Sequence, residues 1–396
     1  MNRLDIYRKT VYTPSMYIYQ DEHWPYFEYD SHSLTRLLEE CHLEQGKLLA
    51  RMDVLGLSEK EEKILSTITS DIIKSSEIEG FLLNQDKVRS SIARRLGIKT
   101  SGLVNSDRNV DAVVEMMLDA TQNYDKPLTQ ERLFGWHACL FPTGYSGMNK
   151  IEVAKYRSAE MQVVSGGLGM ERVHYEAPAP KVVRKEMQLF LRWLNNKKKE
   201  GDSIIHAAVA HLWFITIHPF EDGNGRIART IADMMLCRSD RTKFRFYSMS
   251  NQILLDKKNY YDILEKTQHS SIDITGWLEW FLKCYKKAVE ESYAQTESVL
   301  RKYAFLQSIS EIPLNSRQSM MLTKMLDSSW FGVLNTSKWA KMAKCSADTA
   351  LRDISDLVAK GILEKSPTAG GRSTNYKLVD GAVQLAASTA ANNIVL

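Results

Sequence analysis

The run from residue 206 to 217 is apolar on nearly every side (Ala207, Ala208, Val209, Ala210, Leu212, Trp213, Phe214, Ile215, Ile217) and ends at His218-Pro219. A helix that is apolar all round has no face to give to water, so it must sit in a core with other elements packed about it. Proline disfavours helix at the preceding residue and lacks the amide hydrogen, which stops the helix at His218. The histidine is therefore delivered at the end of a rigid buried element. Residues 226–237 read as a second helix, with Ile227, Ile231, Met234 and Met235 along one face. The loop expected between the two helices is Gly223-Asn224-Gly225.

The twelve residues His218-Pro219-Phe220-Glu221-Asp222-Gly223-Asn224-Gly225-Arg226-Ile227-Ala228-Arg229 place several chemistries side by side. Glycine lets the backbone bend close to a ligand, and free amide hydrogens at a helix N-terminus attract anions. Asn224 can add a side-chain donor. Arg226 and Arg229 lie three apart, so they share a helix face and can grip phosphate oxygens as forked donors. Asp222 is a hard oxygen ligand suited to Mg²⁺, which takes one or two carboxylates together with substrate phosphates and water. His218 has the side chain whose unperturbed pKa lies nearest neutral pH, which suits a general base. A base, a metal and an anion cradle together describe phosphoryl or nucleotidyl transfer.

The string resembles the signature of Fic-domain proteins, His-Pro-Phe-x-Asp/Glu-Gly-Asn-Gly-Arg-x-x-Arg, at every specified position. The resemblance implies a mainly α fold, with a Fic-type helical core that binds Mg·ATP and moves AMP onto a protein hydroxyl of Tyr, Ser or Thr. It implies that His218 deprotonates the target hydroxyl and that Phe220 anchors the loop. Asp222 would hold Mg²⁺. Gly223, Asn224 and Gly225 would cradle the α- and β-phosphates, and Arg226 and Arg229 the outer ones. Kinase-like relatives carry a lysine where Gly225 stands, so Gly225 implies attack at the α-phosphate. The cradle does not read the base, so a uridine or diphosphocholine donor fits it as well.

A second segment bears on the first. Ser58-Glu59-Lys60-Glu61 predicts a capping-box start, and Ile64, Leu65, Ile68, Ile72 and Ile73 carry helical periodicity as far as Glu79-Gly80. Gly80 suits a left-handed stop. Glu79 then lies at a helix C-terminus, where the macrodipole disfavours an anion and a nearby cation would relieve the cost. Ser75-Ser76-Glu77-Ile78-Glu79-Gly80 resembles the inhibitory motif Ser/Thr-x-x-x-Glu-Gly/Asn that precedes many Fic cores. The resemblance implies that Glu79 pairs with Arg229 and blocks productive seating of the γ-phosphate. Taken alone, a glutamate at a helix end is more often simply solvated.

Met161-Gln162-Val163-Val164 and Arg172-Val173-His174-Tyr175 are strand-like runs around Ser165-Gly166-Gly167-Leu168-Gly169, a hairpin signal. No Gly-Lys-Ser/Thr follows, which argues against a P-loop. Fic proteins carry such a β-hairpin flap over the site, pairing with the target backbone, and the resemblance places Val164, Ser165 and Gly166 against the nucleotide. Tyr260, Tyr261 and Gln268 fall where relatives hold adenine, and Tyr261 and Gln268 are expected at the base. Core packing is the other use for the tyrosine pair, for one of them at least.

The chain of 396 residues has room for two or three domains. Its net charge of +4 is too small over this length to argue for nucleic acid by itself. Cys41, Cys139, Cys237, Cys284 and Cys345 are isolated, which points to reduced, mostly buried thiols. No signal peptide and no membrane-length apolar run is evident, so cytoplasm is the expected compartment and no membrane partner is expected. Three parts are expected. Residues 1–95 form an N-terminal helical module with an aromatic entry (Trp24, Phe27) and the inhibitory helix. Residues 96–300 form the Fic core, closing with a long helix from near Asp273 that buries Trp277, Phe281, Cys284 and Ala288. Residues 316–380 form a winged-helix domain, after a hinge around Pro313. Fic relatives often dimerise, and a homodimer is among the expectations.

In the tail, helices are predicted over 318–326, 337–342 and 347–360, the last capped by Ser346, followed by strands 362–364 and 375–378 around Ala369-Gly370-Gly371-Arg372. If the winged helix binds DNA, Asp348, Thr349 and Arg352 face the major groove and Arg372 reaches the backbone. A winged helix also serves protein contacts, and a fold alone does not decide between them. Two functions are carried forward. One is a protein adenylyltransferase held down by Glu79. The other is a DNA-binding regulator whose Fic core senses nucleotide.

Overall fold

The structure, a computed structural model, describes residues 17–99, 102–165, 172–196, 201–326, 333–366 and 374–379. The chain forms two compact units, one up to Ser292 and one from Tyr293. The division falls within a long helix, ahead of the Pro313 stretch where a hinge was expected. The N-terminal module and the core expected after it share the first unit.

The first unit is helical with two small hairpins. In order it comprises α1 (Ser31–Asp53), α2 (Leu57–Ile78), α3 (Gln85–Leu96), α4 (Arg108–Gln122), α5 (Gln130–Leu140), β1 (Tyr145–Ser146), β2 (Asn149–Lys150), β3 (Gln162–Ser165) and β4 (Arg172–Glu176). It continues with α6 (Pro180–Leu194), α7 (Ser203–Ile217), α8 (Asn224–Asp240), α9 (Met249–Leu255), α10 (Lys257–Gln268) and α11 (Thr275–Ser308), within which the second unit begins. Each hairpin is a two-stranded antiparallel pair, β1 with β2 and β3 with β4.

Helix α7 is the centre of this unit. Asp202 caps it by accepting from the Ile204 amide at 2.7 Å, and every residue from Ile204 to Ile217 except His206 is buried. Helix α8 packs along it. The aromatic entry segment joins the same core, with Trp24 and Phe27 edge-on to Trp213 at 6.1 and 5.9 Å. Trp277, Phe281, Cys284 and Ala288 of α11 are all buried, as their spacing predicts. Cys41, Cys237 and Cys284 are buried, Cys139 and Cys345 half-buried, and all five are free thiols. Among the described residues no helix is long and apolar enough to cross a membrane.

Two local expectations need correction. The capping box at Ser58 does not form. Helix α2 begins at Leu57 behind Gly56, and Glu59, now the third helical residue, folds its carboxylate back over Gly56. The loop between α7 and α8 is not Gly-Asn-Gly either. The turn occupies residues 218–223, and α8 already starts at Asn224, because Gly223 takes the left-handed conformation at φ +82° and reverses the chain there.

The second unit holds α12 (Ser316–Met325), α13 (Thr336–Ala343), α14 (Ala347–Ala359) and the antiparallel strands β5 (Leu363–Lys365) and β6 (Tyr376–Leu378). Trp339, Ile354, Leu357 and Phe305 share its core. Ser346 caps α14 through the Thr349 amide at 3.2 Å. Leu334 adds a bridge to Tyr376 on the free side of β6. Asp348 and Arg352 are exposed, whereas Thr349 is half-buried and its hydroxyl meets Ser346 at 2.8 Å. Gly370, Gly371 and Arg372 lie outside the described residues.

Candidate active site

His218 is the C-cap of α7 and takes the left-handed conformation, φ +50° and ψ +59°. A non-glycine residue pays a steric cost there, so something must hold it. Arg157 does. It is 3% exposed, and its Nε donates to the His218 carbonyl at 2.8 Å while its other nitrogens reach the carbonyls of Ala159, Pro178 and Ile217. Its own amide donates to the Pro219 carbonyl at 2.9 Å. The kink is thus wrapped by one buried guanidinium. Burial pulls the His218 imidazole down to about 4, against the pull of the Ile215 carbonyl 3.2 Å from Nδ1, so the ring is neutral at pH 7 with Nε2 free to accept a proton.

The turn after it is built from inside. Phe220 is fully buried and stacks on His137, with ring centres 4.2 Å apart and planes within 13°. Asn224 braces the turn through Phe220, accepting from the Phe220 N–H at 3.0 Å and donating one amide hydrogen to the Phe220 carbonyl at 2.8 Å. Its side chain therefore fixes the loop as well as lining the cavity. His137 accepts from the Ala154 amide at 3.0 Å, which leaves Nε2–H to donate to the Asp222 carbonyl at 3.2 Å. Desolvation pulls this ring too down to about 4, so it stays a neutral strut. At Gly223 an added Cβ would lie 2.9 Å from Phe141 and 3.0 Å from Leu140, so close approach as well as backbone conformation demands glycine.

Asp222 presents its carboxylate beside this turn. It accepts from the Ser146 hydroxyl of the first hairpin and from the Gly223 amide, and Arg226 lies 4.0 Å away. Helix α8 then begins with no side-chain cap, leaving first-turn amides available to an anion.

Glu79 lies at that helix start. It is the C-cap of α2, and Gly80 closes the helix at φ +82° while the Phe81 amide returns to the Ser76 carbonyl at 3.0 Å. Glu79 Oε1 is 2.8 Å from Arg229 Nη2. Arg229 also donates to the Ser75 hydroxyl and carbonyl, each at 2.9 Å. Although burial opposes its charge, the Glu79 carboxylate raises the guanidinium above its ordinary value. A Cβ at Gly225 would stand 2.1 Å from Glu79 Oε1, so glycine there is what lets the carboxylate lie across the start of α8. Phe81 adds a second contact, its ring 4.5 Å from the Arg226 guanidinium, with Phe141 at 5.0 Å from the same group.

A cavity of about 460 Å³ opens over these groups. It is lined by His218, Asp222, Gly223, Asn224, Gly225 and Glu79, with Val164 and Ser165 from the flap and Tyr261 and Gln268 from α10. Arg226 and Arg229 do not line it. Both are more than nine-tenths buried, beneath Phe81 and Glu79. Tyr260, at 1% exposure, packs on His211 and Trp280, the core use expected for one of the pair. Gln268 is buried and its amide lies 3.4 Å from the Thr216 hydroxyl. Gly166 lies outside the described residues. The flap is pinned by Tyr175, whose hydroxyl donates to the Thr216 carbonyl at 2.6 Å. Arg157, His137 and Ser146 carry no role expected from sequence. Each works through a distant carbonyl, ring or side chain, and no local pattern marks such a partner. Ser75, the serine of the inhibitory motif, is the hydroxyl that accepts from Arg229 Nε.

Residues 127–236 match the Fic/DOC family, and residues 17–98 match a domain of unknown function, DUF4172. The chain is 24% identical over 233 residues to protein adenylyltransferase Fic of Nematostella vectensis, covering 57% of this chain and 48% of that protein. Over 118 residues it is 30% identical to the uridine 5'-monophosphate transferase of Xanthomonas campestris pv. campestris, covering 28% of this chain and 21% of that one. The matched stretch thus spans about half the length, or less, of these curated relatives. The fold is similar to that of a Fic family protein from Desulfovibrio desulfuricans G20, with a TM-score of 0.51 at 18% identity over 88% of this chain and 96% of the other. The motif, the helical core that presents it and the matched family model agree, and residues 127–236 form a domain of the Fic/DOC family.

Proposed function

We propose that this protein is a nucleotidyltransferase that moves AMP from ATP to a hydroxyl of a protein, and that Glu79 restrains it. The observation that carries the proposal is a neutral His218 and the uncapped N-terminus of α8 on the walls of one cavity. In this reading the incoming hydroxyl gives its proton to His218 Nε2 as its oxygen attacks the α-phosphorus. The first-turn amides of α8 hold phosphate oxygens as pyrophosphate leaves. The relatives named adenylyltransferase and uridine 5'-monophosphate transferase support nucleotidyl transfer as the class.

The residues present fit Mg²⁺. Asp222 supplies one carboxylate at the cavity, and among the described residues no group of three or more His, Cys, Asp or Glu could form a protein cage. One or two carboxylates sharing the ion with substrate phosphates and water is how Mg²⁺ is commonly held. Bound there, the ion would offset phosphate charge, while Ser146 and the Gly223 amide orient the carboxylate.

Incubation with α-labelled and γ-labelled ATP tests the proposal. Label from the α-phosphate is expected on protein, and label arriving only from the γ-phosphate refutes it. A parallel incubation with α-labelled UTP reads base choice, with ATP expected to be preferred because the Tyr261 ring lines the cavity.

Arg157 gives a second expectation. Arg157→Lys keeps a charge but loses the forked donors that hold His218 in its left-handed turn. A displacement of about 1 Å can cost about 10²-fold in rate. Single-turnover transfer should fall by about that factor, while nucleotide affinity, read by titration, stays within about twofold. An unchanged transfer rate would show that the turn holds without the clamp.

A further inference from the structure

The flap carries a chain of three side chains that the transfer reading does not use. Ser165, at the end of β3, has its hydroxyl 2.5 Å from His174 Nε2 on β4. His174 Nδ1 is 2.7 Å from Glu265 Oε2 on α10. Glu265 is held in turn by Arg172, whose Nη2 lies 2.6 Å from Oε1. Against the cost of burial, the bonds from His174 and Arg172 lower the Glu265 carboxyl, so it is an anion at pH 7. An anion at Nδ1 fixes the proton on that nitrogen and leaves the Nε2 lone pair toward Ser165. A hydroxyl held by an imidazole that is oriented by a carboxylate is the arrangement that activates a nucleophile.

The place of this chain of groups matters as much as its form. Ser165, His174 and Glu265 all line the cavity that His218 lines. Among the described residues, three other hydroxyls line it, those of Tyr175, Tyr260 and Tyr261. Tyr175 is 2% exposed and donates to the Thr216 carbonyl. Tyr260 meets His211, an imidazole that burial pulls down to about 3 and that makes a poor base. Tyr261 is pushed up to about 12 by burial and by Glu79, and its hydroxyl points to the Ile78 carbonyl at 3.5 Å. Ser165 alone of the four is exposed with a base in place.

We infer that Ser165 is a self-modification site, a hydroxyl of this chain that takes a nucleoside monophosphate from the nucleoside triphosphate bound in its own cavity, with His174 as the base and Glu265 as its orienting partner. The inference rests on the transfer reading above. The Ser165 Oγ–H proton passes to His174 Nε2, Oγ bonds to the α-phosphorus, and the bond from that phosphorus to the bridging oxygen breaks. Pyrophosphate leaves, and a phosphodiester remains on Ser165. No oxidation or reduction is involved.

The test uses the full-length chain, unaltered and as Glu79→Gln, with Mg²⁺ and α-labelled ATP, followed by peptide mapping of the phosphodiester by mass spectrometry. AMP on the peptide containing Ser165 is expected, absent from Ser165→Ala. A positioned general base contributes about 10²- to 10⁴-fold, so in His174→Gln labelling at Ser165 should fall by at least about tenfold relative to the other labelled residues of the same chain at pH 7. Label on Ser165 at an undiminished rate in His174→Gln overturns the role of the imidazole. Label on other residues, or on an added protein, with none on Ser165 overturns the inference and leaves the transfer reading standing. No label on any protein from chains that bind ATP overturns the transfer reading, and this inference falls with it.

Discussion

His218→Ala is expected to reduce AMP transfer by about 10²- to 10⁴-fold, the range a positioned general base supplies, while ATP still binds. The two effects separate because the imidazole and the anion-binding amides sit on different elements, one ending α7 and the other starting α8. Alanine also tolerates the left-handed backbone no better than histidine, and the Arg157 clamp grips the main-chain carbonyl of residue 218, so the turn should survive. Transfer from α-labelled ATP to residues other than Ser165, measured beside nucleotide titration, checks this, and retained transfer to them in the variant removes His218 from the chemistry. The same ring sets the pH profile. Its neutral form does the work, and burial pulls it down to about 4, so transfer should be nearly level from pH 8 to pH 6. A histidine at its ordinary value near 6.5 would keep only about a quarter of its neutral form at pH 6. A fall of that size by pH 6 would show that the working histidine is not desolvated as the geometry has it.

Much of this site can be read from the sequence because it is written in one stretch. The all-apolar run before His218 forces a buried helix, the proline ends it, and the glycines and arginines follow within twelve residues. The partners of that stretch are harder to see. Arg157 is 61 residues from His218 and acts on its main-chain carbonyl, where side-chain identity leaves no trace. His137 meets Asp222 across 85 residues and would pass for an ordinary core histidine. Asn224 has a use the sequence does not show. Its type suits a ligand donor, and its amide also closes a ring on Phe220 four residues back, which only the tightness of the turn decides. The start of α2 shows the same limit, since Ser58 and Glu61 have the right spacing yet the cap position falls two residues earlier, at Gly56, with Glu59 folded back over it. Arg226 and Arg229 are legible as anion ligands, whereas their being covered by Phe81 and Glu79 depends on how α2 packs on α8.

Removing the Glu79 carboxylate is expected to raise transfer by about 10- to 140-fold. The carboxylate lies across the start of α8, 2.8 Å from Arg229, where an anionic phosphate would otherwise approach the first-turn amides and meet the same guanidinium. Two anions cannot share that place, so a nucleotide must either displace Glu79 or seat its outer phosphate elsewhere. A hydrogen bond to a charged group is worth about 1.5–3 kcal/mol net, and about 1.4 kcal/mol corresponds to a factor of ten, which yields the range above. Glu79→Gly removes the side chain at a cost of up to about 1 kcal/mol in helix stability, a small one here because residue 79 is already the C-cap. Glu79→Gln keeps the side chain and loses only the charge, so it should show a smaller gain of the same sign. Arg229 keeps its two bonds to Ser75 in either variant, so it stays placed to receive a phosphate. Transfer from α-labelled ATP, compared across the three chains at saturating nucleotide, decides the matter. If both variants bind ATP and transfer no faster than the unaltered chain, the Glu79–Arg229 pair is a tether between α2 and α8 that does not restrain the chemistry.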